Sequence, residues 1–79
     1  TRVRAVSVHE RFIVLVAERW GAEAARLVRP ARLERGVLFV EVQSSALAQE
    51  LMVHATYLVG QLSHDIQLPR VVRIRTTLR

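Results

Sequence analysis

Cysteine is absent from this 79-residue chain, which removes both a disulfide framework and a thiolate zinc site. Lysine is absent as well. All twelve basic residues are arginines, set against seven acidic residues for a formal net charge of +5. Glycine and proline are scarce, and Gly21, Gly36 and Gly60 stand alone. That isolation excludes a phosphate-cradling glycine loop, the glycine-flanked serine of a nucleophile elbow, and the Gly-X-X-Gly loop of an RNA-binding KH module. No apolar stretch approaches the roughly 18 residues of a membrane span: Phe12 to Ala17 is followed at once by Glu18 and Arg19. No signal peptide is visible, and an opening Thr1 reads as the start of a trimmed fragment. The expectation is a cytoplasmic protein, one domain over residues 1–79, without cofactor, membrane contact or small-molecule substrate.

What is present is an apolar content of 51%, enough for a core that a disordered tail would lack. From Val6 to Val28 the apolar period is helical, with Val8, Phe12, Leu15 and Val16 on one face. Ser7 and Glu10 have capping-box spacing. Gly21 interrupts the pattern, so either two short helices or one kinked helix should end before Pro30. The period then drops to two. Ala31 to Glu34 and Val37 to Gln43 read as a hairpin turning at Arg35-Gly36, with Leu38, Val40 and Val42 buried and Phe39 and Glu41 turned away. Ser44 or Ser45 should cap a helix running to about Leu62 on a stripe of Leu47, Leu51, Ala55, Leu58, Val59 and Leu62. Ser63 to Leu68 reads as a loop closed by Pro69. Val71 to Thr76 reads as a third strand with Val72 and Ile74 inward and Arg73 and Arg75 outward. The expected fold is α+β, in the order α(α)ββαβ, a three-stranded sheet with helices on one face.

Nothing in this order assembles a catalytic constellation. His9 reads as part of a solvated helix face, His54 as lacking a helical metal pair, and His64 as a complement to a helix C-terminus. The seven carboxylates are scattered singly. Binding features are stronger. Alternation places Arg32, Arg73 and Arg75 on the side of the sheet away from the core, with Arg35 at the turn and Arg70 leading into the last strand. If the strands are neighbours, these arginines surround Phe39, a pattern suited to single-stranded nucleic acid, where bases stack and phosphates pair. The alternative is a solvated strand face partly neutralised by Glu34 and Glu41. Trp20, Phe39, Met52 and Tyr57 are the candidate partner anchors, some of them doubling as core in so small a chain.

A string of residues then becomes recognisable: Gly21, Arg29-Pro30, Leu33, Gly36-Val37-Leu38, Val40-Glu41-Val42, and Ser44 through Leu51. From about Val8 to Ile74 it resembles the DciA family of bacterial replicative-helicase loaders. Val16 and Leu47 stand where family members often carry tryptophan. The resemblance implies a KH-like domain similar to the N-terminal domain of the replication initiator DnaA. It also implies a non-enzymatic adaptor that binds the hexameric replicative helicase and helps it onto single-stranded DNA at replication origins, in the nucleoid. An RNA-binding KH-like module and a purely protein-binding or self-associating domain are the alternatives.

Overall fold

The computed structural model describes residues 8–64 and 70–79. The elements run α1 (Val8–Trp20), α2 (Ala22–Ala25), β1 (Val28–Glu34), β2 (Val37–Val42), α3 (Ser45–Val53), α4 (Ala55–Ser63) and β3 (Arg73–Leu78). The strands form one sheet in the order β1-β2-β3, with β1 antiparallel and β3 parallel to β2. Helices cover one face, the α+β layering expected. The Ser7 cap and the Pro69 stop lie outside the described residues.

In α1 the inward stripe holds, and Val8, Phe12, Leu15 and Val16 are all buried. The helix ends at Gly21, whose φ of 101° is open to glycine and strained for other residues. Its amide still donates to the Ala17 carbonyl at 2.9 Å, closing the last turn before the chain swings into the short α2. Gly21 therefore separates two helices, one of the two forms expected.

Proline does not mark the boundary it was expected to mark. Strand β1 begins at Val28, two residues before Pro30, so the helical pattern ends earlier and the strand starts earlier. An edge strand tolerates the missing N–H, and β1 is an edge. The register slips between Pro30 and Arg32, leaving Ala31 as the unpaired residue of a bulge. That slip resets the phase. Pro30 and Leu33 are half-buried although three residues apart, while Arg29 and Arg32 are both exposed. The hairpin turns as expected through Arg35 (φ 50°) and Gly36 (φ 81°), the double positive φ that matches the twist of a two-residue hairpin.

Strand β3 departs from expectation at its entry. Val71 and Ile74 are buried, whereas Val72 is 54% exposed. Strand pairing starts at Arg73 rather than Val71 and ends at Leu78 rather than Thr76. The cause is one shared acceptor: the Val72 and Arg73 amides both donate to the Gly36 carbonyl, at 2.7 and 3.2 Å. Two successive residues turn toward the same partner, so strict alternation does not extend back to residue 72. A Cβ on Gly36 would lie 2.9 Å from Val72 Cγ2, so a side chain there would force Val72 to shift in addition to straining this φ.

The long helix expected after the hairpin is two helices broken at His54 (φ −100°, ψ 19°), a bridge-region conformation. Its N-cap is Ser44, whose Oγ accepts from the Leu47 amide at 3.1 Å. Leu47, Leu51, Leu58 and Leu62 all stay buried across the break, while Ala55 and Val59 are only partly so. Ser63, expected in a loop, closes α4, and its hydroxyl donates to the Val71 carbonyl at 3.0 Å, tying the helix end to the approach to β3. The core joins these leucines to Leu38, Val40, Val42 and Ile74 from the sheet and to Phe12 and Val16 from α1, and it contains no buried polar residue among those described.

Candidate nucleic-acid and partner surfaces

The face of the sheet turned from the helices is built of three cross-strand rows. Arg29 pairs with Glu41, which pairs with Thr77. Arg32 pairs with Phe39, which pairs with Arg75. Glu34 pairs with Val37, which pairs with Arg73. Paired residues in a sheet share a face, so the middle row sets Phe39 between two arginines. The Arg32 guanidinium carbon lies 4.3 Å from the centre of the Phe39 ring, a stacked cation–π contact. Phe39 is half-buried, and Arg32, Arg73 and Arg75 are exposed.

Acidic residues modulate this face unevenly. The Glu41 carboxylate is 2.6 Å from Arg79 Nη1 and 4.0 Å from Arg29 Nη1, and Glu34 is 3.2 Å from Arg32 Nε. Exposed pairs of this kind contribute roughly 0–1 kcal/mol, so their effect is on local potential more than on stability. Among the described residues, Arg35, Arg70, Arg73 and Arg75 form no ion pair. Arg35 stands at the turn beside a shallow hollow that it lines with Glu34, Val37 and Phe39. Arg70 is exposed ahead of β3 and belongs to none of the three rows.

Thus Arg32, Arg73 and Arg75 come together with Phe39 as alternation requires. Arg29 and Arg79 were missed. Arg29 precedes the proline taken as a boundary, and Arg79 follows the last expected strand residue. The proline-tolerant edge strand was the available signal for Arg29.

The four candidate partner anchors are not one surface. Phe39 is on the open sheet face. Trp20 and Tyr57 lie on the helical side and are linked through Arg19, whose guanidinium carbon is 4.8 Å from the Tyr57 ring centre and 5.9 Å from that of Trp20. The His54 ring meets Trp20 edge-on with centroids 5.6 Å apart. His54 does have a helical partner: Glu50 lies four residues earlier, with its carboxylate 3.5 Å from Nε2. One histidine and one glutamate fall short of a metal site, and no group of three or more such ligands occurs among the described residues. Met52, 47% exposed, sits apart from this cluster in a groove beside β3.

The fold is a small α+β architecture with arginines and an aromatic on an open sheet and a cation–aromatic cluster on the helices. The family model described as Dna[CI] antecedent, DciA, matches residues 5–76, and the chain belongs to this family. That places it with proteins of DNA replication concerned with loading the replicative helicase, a family not made of enzymes. No curated protein matches the chain. Among the described residues no helix is long and apolar enough to cross a membrane.

Proposed function

We propose that the chain is a non-enzymatic adaptor that engages the hexameric replicative helicase and single-stranded DNA together, assisting the helicase onto the strand. The observation that carries the DNA half is the Arg32–Phe39–Arg75 row across the open face. A guanidinium laid on an aromatic ring offers a flat cationic platform for a base, and Arg75 on the other side offers a phosphate partner. Arg73, Arg35 and Arg70 extend the positive field along the sheet, the turn and the approach to β3.

The helicase half rests on family membership and on the Arg19–Trp20–Tyr57 cluster, which lies on the opposite side of the molecule from the DNA face. Partly exposed tryptophan and tyrosine around an arginine have the composition of an interface hot spot. Two separate surfaces allow both partners to be held at once.

The test is fluorescence anisotropy of labelled oligo-dT across a salt series, for the chain and its Arg32→Ala, Arg75→Ala variant. Loss of the one phosphate contact, at Arg75, lowers the slope of log K against log salt by about 0.7, and loss of the Arg32 platform weakens binding at every salt concentration. An unchanged slope removes this face from the DNA reading, and a clear preference for RNA of the same sequence replaces DNA with RNA. In parallel, the variant should still capture the helicase, whereas Trp20→Ala should not.

A further inference from the structure

The two edges of the sheet differ in a way that neither partner above accounts for. Edge β1 is blunted by Pro30, which has no N–H, and by the bulge at Ala31. Edge β3 has no proline and pairs with β2 in unbroken register from Arg73 to Leu78. The Arg73 amide donates to the Gly36 carbonyl just ahead of β2, and the Arg79 amide to the Val42 carbonyl at its end. Alternation therefore directs the backbone groups of Ile74 and Thr76 to the free side.

Beside this edge, unpaired among the described residues, runs a mostly apolar groove of about 330 Å³ between β3 and the α3–α4 junction, lined by Met52, Ala55, Val59 and Val72 together with Thr56 and Arg73. A second hollow continues it along β3 past Arg73, Arg75 and Thr76. Met52 and Val72 are 47% and 54% exposed, large apolar side chains flanking the same edge.

We propose that β3 is a docking edge for an extended segment of a partner protein that alternates apolar and acidic residues and adds a fourth strand. Side chains of such a segment opposite Ile74 and Thr76 enter the groove against Met52 and Val59. Those opposite Arg73 and Arg75 emerge on the open face, where unpaired guanidinium groups take carboxylates. Charge disfavours a second copy of this chain, because antiparallel β3–β3 pairing sets arginine rows against each other. A nucleic-acid strand has no row of donors and acceptors at strand spacing to match the backbone edge.

The probe is a capped heptapeptide alternating valine and glutamate, titrated into the isotopically labelled chain and followed through backbone amide signals. The proposal expects saturable shifts at Ile74, Thr76, Met52 and Val59. N-methylation of the peptide amides that face β3 should weaken binding roughly tenfold or more, through loss of backbone hydrogen bonds. Met52→Glu, at a solvent-facing position, should do the same without unfolding the chain. The proposal is overturned if no saturable shift occurs up to the peptide's solubility limit, or if the N-methylated peptide binds equally well. It is also overturned if the edge signals move with protein concentration alone, marking a second copy, or if oligo-dT rather than peptide saturates them. None of these results depends on whether the helicase binds.

Discussion

The two faces of the sheet are cut from the same three strands, residue by residue in alternation, yet they are opposite in kind. The inner face is Leu38, Val40, Val42 and Ile74, all at or below 1% exposure. The outer face at neighbouring positions is Arg32, Phe39, Arg73 and Arg75, with one ring half-buried and three guanidinium groups in solvent. One side is specified by exclusion of water, the other by charge that water must reach. Stability and recognition are therefore separable in this chain to an unusual degree, because a substitution at residue 38 or 39 addresses one and largely spares the other.

The largest expected effect breaks the inner face. Leu38→Ala opens a cavity in the core and should cost about 2–5 kcal/mol. That rivals the whole stability of a chain this small. Urea unfolding should show the midpoint falling with little change in slope. Phe39→Ala, one residue on, strikes the outer face. It should weaken oligo-dT binding by about 1–3 kcal/mol in anisotropy titrations, while costing less folding stability than Leu38→Ala. Glu41→Gln sharpens the comparison in the other direction. It releases Arg29 and Arg79, costs at most about 1 kcal/mol of stability, and should raise DNA affinity most at low salt. The smallest effect is at the turn. Arg35→Asn places a residue tolerant of positive φ ahead of Gly36, and should gain about 0.5 kcal/mol in thermal unfolding while slightly reducing DNA affinity.

Much of this two-sidedness was legible from periodicity alone. Alternation in Val37 to Gln43 separates Leu38, Val40 and Val42 from Phe39 and Glu41, and both burial sets are as read. The helix stripe through Leu47, Leu51, Leu58 and Leu62 survives the break at His54 because both helices keep the same inward phase. Two of the misses share a physical origin, because each sits where local geometry departs from a pure period. Pro30 was taken as a terminator, but an edge strand has no use for one of its N–H rows. Val72 was assigned inward by extrapolating an alternation that begins only at Arg73. Arg19 escaped notice because its contact with Tyr57 depends on how α1 approaches α4, whereas the Glu50–His54 pair, four residues apart, was open to a count along the sequence and was missed all the same. The separation of Trp20 and Tyr57 from Phe39 and Met52 is likewise a matter of tertiary placement.

The parallel pairing of β3 with β2 has a consequence for the order of assembly. The β1–β2 hairpin closes through a two-residue turn and needs only local chain, but β2 lacks its second neighbour until synthesis has passed through both α3 and α4. During that interval the strand at the centre of the finished sheet is itself a bare edge, carrying Leu38, Val40 and Val42 next to unmatched backbone. The nascent hairpin is thus most exposed to misassociation just before its last strand emerges. Protection at that stage falls to α1, which is synthesised before the hairpin and whose Phe12 and Val16 are already available to cover the leucine and valines.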